Sequence, residues 1–272
     1  MKSIEPYQGI ANIYDEIRPS YPMELIEDIV SLTGINHRSH LLEVGAGTGK
    51  ATLIFAEKKF KVIAIEPCED MAKVLQSKSI HSDYIHVDVT SFEEWENTNS
   101  AMFDMIFSAQ AFHWVDPNVK FTKSYQLLKS DGYLVLFWYI PTEDISPTGL
   151  NLRSQLDQII GKYRRSVHQQ ENPFMRKEHD GKFSDNERMI ELSNCDLFEL
   201  VDRKEYAIDI KNSPEEYVEV LKSVPNFASI MDSLDSASTV HLEKELIQTI
   251  KDYGGNVHSK INYFLYVLKK RL

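Results

Sequence analysis

The sequence has 272 residues, of which 42% are hydrophobic and 26% charged, and its formal net charge is −11. This composition is typical of a globular protein with a full hydrophobic core, and the acidic balance argues against nonspecific binding to nucleic acid or to an anionic membrane. The two cysteines, Cys68 and Cys195, have no metal-like spacing, and neither a signal peptide nor a membrane-spanning apolar run stands out, which predicts a cytoplasmic protein with free thiols.

Strands and helices are predicted to alternate from residue 39 to residue 140. Short apolar segments rich in β-branched residues indicate strands, and the segments between them have the spacing of amphipathic helices. The predicted strands are 40–44, 61–66, 84–89, 103–108 and 132–140, and the predicted helices are 50–59, 69–78, 91–96 and 118–129. Because strands that are apolar throughout need cover on both faces, this pattern predicts a doubly wound α/β sheet with parallel strands.

The alternation stops after residue 140. A helix is predicted at 213–223, where Ser213 can cap the first turn and Pro214 can occupy the first helical position. The other predicted elements are a helix at 149–165, a strand at 197–210, a helix at 239–253 and a last strand at 261–271. We therefore expect a single domain over 1–272, with a core of 39–140, 196–210 and 256–272, an N-terminal cap segment at 1–38, and helical insertions at 141–195 and 211–255.

The segment LLEVGAGTGKAT (41–52) carries the strongest chemical signal. Its alternate glycines let the backbone turn sharply and approach a ligand, and the following helix start offers free N–H groups to an anionic group. The dinucleotide fingerprint would require glycine at Lys50, and a Walker A loop would require other residues at Val44 and Ala51. The loop therefore argues against NAD, FAD and nucleoside triphosphates, and a glycine turn without a ligand remains the alternative.

Two acidic residues end the next two predicted strands. Glu66 lies about 20 residues beyond the loop, where a carboxylate can accept hydrogen bonds from both ribose hydroxyls. Asp88 could accept from an adenine amino group while the backbone N–H of Val89 faces a ring nitrogen. Either acid alone would more often be a surface residue or a helix cap. Two of them on adjacent strand ends, beside the glycine loop, indicate an adenosine site.

The four segments LLEVGAGTGKAT, VIAIEPCEDM, YIHVDVTSF and FDMIFSAQAFHWVDP occur in this order. They resemble the successive motifs of class I methyltransferases of the type 11 group, which use S-adenosylmethionine (SAM). The segment 14–30 and the stretch AQAFHW are most similar to the branch that includes trans-aconitate methyltransferases. The resemblance implies a Rossmann-like sheet of seven strands with the last one antiparallel, helical cap insertions, SAM as cofactor and no metal.

The resemblance also assigns residues to the cofactor. Glu43 and the glycine loop would lie beneath the methionine portion, Glu66 would bind the ribose, and Met71 would pack on the adenine, although a helical methionine is more often a core residue. The full predicted set is Glu43, Gly45, Gly47, Thr48, Gly49, Glu66, Pro67, Met71, Asp88, Val89, Ala109 and Gln110.

The stretch FSAQAFHWVDP (107–117) continues the fourth strand into polar and aromatic residues. In the implied fold this strand end passes beside the sulfonium, so Gln110, His113 and Trp114 are the predicted catalytic residues. Methyl transfer mainly needs alignment and exclusion of water, for which Trp114 offers an apolar wall, or else only strand-end packing. His113 could act as a general base for a protonated nucleophile, whereas a carboxylate acceptor would need no base.

Two further features of the sequence favour a small molecule as the acceptor. The (N/D)-P-P-(Y/F) motif of amine and amide methyltransferases is absent, since SAQAFH occupies its place at 108–113. Residues 162–188 are rich in basic side chains and form either a solvated loop or a lid that binds a substrate carboxylate. The substrate candidates are Arg164, Arg165 and Arg176 in that segment, and Tyr14 and Arg18 near the N-terminus.

We therefore predict a SAM-dependent methyltransferase that acts on a small molecule, with an organic acid as the first candidate. An enzyme that methylates oxygen or carbon of a quinone or phenol is the main alternative. A SAM-binding module without turnover is the alternative from another class. No nucleic acid or membrane is expected as a partner, and the sequence does not define the oligomeric state.

Overall fold

The computed structural model describes residues 9–98, 102–164 and 185–272. At its centre is a seven-stranded sheet with the order β3-β2-β1-β4-β5-β7-β6. The strands are β1 (His40–Val44), β2 (Lys61–Ile65), β3 (Ile85–Asp88), β4 (Phe103–Ala109), β5 (Leu128–Glu143), β6 (Phe198–Asn212) and β7 (Val257–Lys270). The first five strands pair in parallel, and β7 is antiparallel to both β5 and β6. The predicted Rossmann-like sheet with an antiparallel last strand is confirmed.

Helices cover both faces of the sheet and form a separate layer near its ligand edge. They are α1 (Ala11–Ile17), α2 (Met23–Thr33), α3 (Lys50–Glu57), α4 (Glu69–Ser79), α5 (Lys120–Leu127), α6 (Pro147–Arg164), α7 (Asp185–Ser193), α8 (Pro214–Lys222), α9 (Pro225–Asp232) and α10 (Ser236–Asp252), with a 3-10 turn at Phe112–Trp114. Over the described residues, none of these helices combines the length and the apolarity that crossing a membrane requires.

Local sequence signals account for several of these boundaries. The Ser213 hydroxyl accepts from the Glu216 N–H at 3.2 Å, and the Glu216 carboxylate accepts from the Ser213 N–H at 2.8 Å. This reciprocal capping box satisfies two backbone donors at the start of α8. With Pro214 in the first turn, the predicted cap and start of this helix are confirmed.

The helix predicted at 91–96 is wrong, because this segment forms only a turn. The Trp95 N–H bonds to the Ser91 carbonyl at 2.9 Å, but no further helical turn follows. The Trp95 side chain instead returns to the end of β3, where its indole N–H donates to Asp88 Oδ2 at 2.7 Å. A tertiary contact therefore overrides the weak local preference of a six-residue segment.

The core has one layer on each face of the sheet and a third cluster between helices. Leu41, Phe55, Phe107 and Phe137 belong to the layer under α2 and α3, and Leu42, Ile106, Leu134 and Trp138 belong to the layer on the α7 side. The third cluster joins α6, α8 and α10 through Leu152, Leu156, Val218, Leu242 and Leu246. This arrangement fixes the carboxyl ends of the parallel strands along one edge, which is where ligands bind in such sheets.

Candidate functional site

A cavity of about 350 Å³ lies at the carboxyl ends of the parallel strands. Residues that are far apart in the sequence meet around it: the glycine loop after β1, the end of β2, the start of α4, the end of β4 and the N-terminal segment. Among the predicted site residues, those that line it are Tyr14, Arg18, Glu43, Gly45, Gly47, Thr48, Glu66, Pro67, Met71, Ala109, Gln110 and Trp114.

The buried carboxylate of Glu66 connects the glycine loop to the end of β2. Its Oε2 accepts from the Gly47 N–H at 2.7 Å, and its Oε1 accepts from the Cys68 N–H at 2.8 Å. These two bonds fix the position of the carboxylate at the cavity wall. A carboxylate has about four lone-pair sites, so one that accepts from backbone N–H groups can also accept from hydroxyl groups.

Glu43 is almost completely buried beneath the glycine loop. Burial, together with the charge of nearby Glu66, raises the pKa of its carboxyl to about 8, despite the opposing effect of a hydrogen bond from the Thr52 hydroxyl. At neutral pH and without a ligand the side chain therefore carries a proton. A cation placed in the cavity would favour the ionised form.

Two positions of the loop, Gly45 and Gly47, favour glycine for different structural reasons. Gly45 has φ +73°, and a Cβ atom there would lie 2.3 Å from the Cβ of Ala111, so a side chain would displace the segment after β4. Gly47 has φ +58° and would place a Cβ more than 4 Å from any neighbouring heavy atom, at a position that lines the cavity. The first glycine permits packing, and the second leaves space for a ligand.

Three predicted cofactor residues lie off the cavity wall. Both oxygens of Asp88 are engaged, one by Trp95 at 2.7 Å and the other by His86 Nε2 at 3.1 Å, and Val89 is exposed. Gly49 instead permits close packing of α3, since a Cβ there would meet Leu75 at 2.3 Å. The cavity is lined instead by Ser91, Phe92 and Glu93, which follow in the sequence and which the sequence interpretation missed.

Consecutive residues of the 3-10 turn after β4 line two different cavities. Trp114 lines the main cavity, whereas His113 lines a second one of about 270 Å³. Burial, together with the charges of Arg188 and Lys120, lowers the pKa of His113 to about 3. His113 is therefore a neutral imidazole at physiological pH and a weak base, which argues against the predicted role as general base.

Gln110, the first residue after β4, connects the end of that strand to β5. Its backbone has φ +62°, a left-handed conformation that is uncommon for a residue other than glycine. Its side-chain amide donates to the Tyr139 carbonyl at 3.0 Å, and its Oε1 accepts from the Tyr139 N–H at 3.2 Å. The amide predicted to be catalytic is thus engaged in positioning the turn that carries Trp114.

Aromatic residues that sequence interpretation did not single out line the main cavity near Arg18. Tyr21 packs edge-on against Phe137, with ring centroids 4.8 Å apart, and Tyr139 lies in β5 just beyond its pairing with β4. Burial raises the pKa of Tyr21 well above its usual value, so its phenol stays protonated. Arg18 Nη2 donates to the Ser223 carbonyl at 3.3 Å. Tyrosines in apolar segments resemble core residues, and only the tertiary structure shows that they border a cavity.

Of the remaining substrate candidates, only Arg164 lies within the described residues, and it does not join this site. Arg164 is exposed at the end of α6, away from the cavity lining, and Arg165 and Arg176 fall outside the described residues. Over the ranges that the structure describes, no group of three or more His, Cys, Asp or Glu side chains is arranged to hold a metal ion.

Residues 42–136, which contain the glycine loop, Glu66 and the turn after β4, match a family described as a methyltransferase domain. This part of the chain is therefore similar to a methyltransferase domain. This finding agrees with the predicted class of enzyme and supports SAM as the cofactor. The match ends within β5, so the helical cap and the last two strands of the sheet lie outside it.

Individual relatives extend the comparison of sequences. The Saccharomyces cerevisiae protein CRG1, named a probable S-adenosylmethionine-dependent methyltransferase, is 29% identical over 66% of this chain and 57% of its own length. An uncharacterized methyltransferase of Mycobacterium bovis is 32% identical over 55% of this chain and 56% of its own length. The matched region thus spans little more than half the length of these relatives.

Solved structures with low sequence identity share the fold. A protein of Anaeromyxobacter dehalogenans described as a type II methyltransferase superposes with a TM-score of 0.60 at 16% identity, covering 93% of this chain and 97% of that one. The YcgJ protein of Bacillus subtilis gives a TM-score of 0.53 at 16% identity, covering 92% of this chain and all of its own. Because this coverage is far greater than residues 42–136, the similarity in fold extends beyond the matched domain.

Proposed function

We propose that this protein transfers a methyl group from SAM to a small organic acid. The observation that carries the proposal is one cavity that is lined both by the glycine loop with Glu66 and by Arg18 with aromatic side chains. A cofactor and an acceptor can therefore lie in one enclosed space. Such proximity is the main requirement for a displacement at a methyl carbon.

The glycine-loop end fits SAM. The open space at Gly47 admits a ligand against the backbone, and the fixed carboxylate of Glu66 can accept from ribose hydroxyls. Met71 and Phe92 add apolar surface to the same cavity. SAM supplies the methyl group when bound, and these residues would bind and orient it.

Arg18 and the aromatic residues of the cavity wall fit an acceptor that is already ionised. Arg18 can pair with a carboxylate, while Tyr21, Tyr139 and Trp114 provide aromatic walls. Tyr21 stays protonated, and His113 faces the other cavity, so neither is suited to remove a proton from an acceptor. A carboxylate needs no such help, because its ordinary pKa is near 4.

Helix α1 closes the cavity from the N-terminal side. The Asp15 carboxylate pairs with Lys78 of α4, and the Asp15 carbonyl accepts from Lys50 of α3 at 2.7 Å. Tyr14, on the same helix, lines the cavity. These bonds hold α1 across the two helices that follow the glycine loop and β2, where it would exclude water from the reacting atoms.

Replacing Glu66 tests the cofactor end. Glu66→Ala should weaken SAM binding by about 1–3 kcal/mol, the usual loss when a polar ligand group has no partner. It should also loosen the loop, since Gly47 and Cys68 lose their acceptor. Calorimetric titration gives the affinity, and Glu69→Ala, an exposed acid on α4, is the matched control. Unchanged SAM affinity in Glu66→Ala would contradict the assignment.

Replacing Arg18 tests the acceptor end. The acceptor is first identified by incubating the protein with isotopically labelled SAM and a panel of small acids, phenols and quinone precursors, read by mass spectrometry. For an acidic acceptor, Arg18→Gln should raise KM about 10-fold or more, the scale of losing a charged hydrogen bond, with SAM affinity nearly unchanged. The exposed Arg38→Gln is the control. Methylation of phenols alone would overturn the organic-acid assignment, and SAM binding without turnover on any acceptor would favour a binding module.

A further inference from the structure

The second cavity, of about 270 Å³, lies beneath the 3-10 turn between α5, α7 and β5. It shares Gln110 and Ala111 with the main cavity but lies mainly on the other face of the sheet, since its Leu136 and Trp138 belong to the core layer on the α7 side. Neither the proposed cofactor nor the proposed acceptor needs this space.

Two cationic side chains line this cavity. Lys120 is only 3% exposed, and its ammonium pairs with Glu191 and lies 5.4 Å and 5.2 Å from the ring centroids of Phe112 and Phe121. The guanidinium of Arg188 lies 3.6 Å from the centre of the Trp138 ring. Burying a cation is costly unless an anion or a set of acceptors compensates for the lost water.

The acid that pairs with Lys120 is at the rim. The side chain of Glu191 is 43% exposed, whereas that of Lys120 is 4% exposed. Glu191 can therefore turn into water when another carboxylate takes its place, at little cost in solvation. Lys120 has no such freedom, so the positive charge stays inside the cavity.

A buried donor in the same cavity lacks an acceptor. Trp138 is 6% exposed, and its indole N–H has no hydrogen-bond partner among the described residues. Buried donors of this kind are rare in folded proteins and call for an explanation. An anionic ligand supplies one, because a single carboxylate can accept from both an ammonium and an indole N–H.

We propose that the second cavity binds a small organic carboxylate. The carboxylate would take the place of Glu191 beside Lys120 and accept from the Trp138 N–H. Phe112, Leu136 and Leu192, which also line the cavity, offer apolar surface to a short carbon chain. This site is separate from Arg18 and does not depend on the proposed methyl transfer.

Butyrate is a suitable probe, and the tryptophan indoles report its position. The chain has three tryptophans, so a ¹H–¹⁵N spectrum contains three indole signals, and Trp138→Phe identifies the one that belongs to the cavity. Titration with butyrate at constant ionic strength should shift the Trp138 indole signal downfield, and the shift should reach saturation. The Trp95 indole already donates to Asp88, so its signal should stay in place. A Trp138 signal that does not move up to 50 mM butyrate, roughly the weakest affinity of interest, would overturn the proposal.

Variants separate this site from other anion contacts. Lys120→Gln should weaken butyrate binding at least 10-fold, whereas Lys123→Gln, one turn along the same helix, and Arg18→Gln, in the main cavity, should leave it unchanged. If Lys120→Gln does not fold, Trp138→Phe serves instead and should weaken binding several-fold by calorimetry. Equal affinity in wild type and the cavity variants would overturn the site. Phosphate binding as tight as that of butyrate would overturn the choice of an organic carboxylate.

Discussion

Gly47→Val will abolish SAM binding and leave the sheet folded. A Cβ atom at this glycine would have no heavy atom within 4 Å, and Gly47 lines the cavity, so a valine side chain there would occupy ligand space. The positive φ adds strain of about 1–3 kcal/mol, which a domain with a typical stability of about 5–15 kcal/mol can tolerate. We expect affinity for SAM to fall at least 100-fold by calorimetry while far-UV circular dichroism keeps its shape.

Gly45 provides a matched contrast. Gly45→Ala should destabilise the fold, because its Cβ would lie 2.3 Å from the Cβ of Ala111. Adding Ala111→Gly removes the clash and should restore most of the melting temperature, leaving only the strain of φ +73°. Wild-type SAM affinity in Gly47→Val would show that the ligand lies elsewhere. Failure of Ala111→Gly to rescue Gly45→Ala would contradict the packing explanation.

The central sheet could be predicted because its signals are local. The strand predicted at 40–44 coincides with β1, and the helix predicted at 69–78 differs from α4 by one residue. Each of these segments repeats its apolar residues with a single period, and a turn residue or glycine marks its end. The order of such segments then leaves few ways to build a parallel sheet.

The candidate site was only partly predictable, because side-chain direction is decided by tertiary contacts. His113 and Trp114 are neighbours in the sequence, yet a single 3-10 turn directs them to separate cavities. Asp88 ends its strand as expected, but Trp95 takes its carboxylate. Tyr21 comes from a segment 118 residues before Tyr139, and their ring centroids are 6.4 Å apart. No local sequence pattern predicts the contact between these two rings.

The protonation of Glu43 makes the stability of the ligand-free protein depend on pH. Its folded pKa of about 8 is above the usual 4.5, so the folded state holds this proton more tightly than the unfolded chain does. The group therefore favours folding most below pH 4.5, and this contribution is lost as the pH rises towards 8. A shift of this size corresponds to a loss of about 3–5 kcal/mol.

Glu43→Gln should therefore raise the melting temperature of the ligand-free protein at pH 8.5 by about 5–9 °C and change it little at pH 4.5, since glutamine stays neutral throughout. Glu57→Gln, which replaces an exposed acid at the end of α3, is the control and should show no such pH dependence.

SAM carries a permanent sulfonium charge, which its demethylated product lacks. In the wild type, the preference for SAM over that product should grow as the pH rises from 6 to 8, by up to about 10-fold per pH unit, because binding the cation requires Glu43 to lose its proton. In Glu43→Gln this growth should vanish. If it persists there, the cation does not lie near Glu43, and the orientation of SAM in the cavity must be revised.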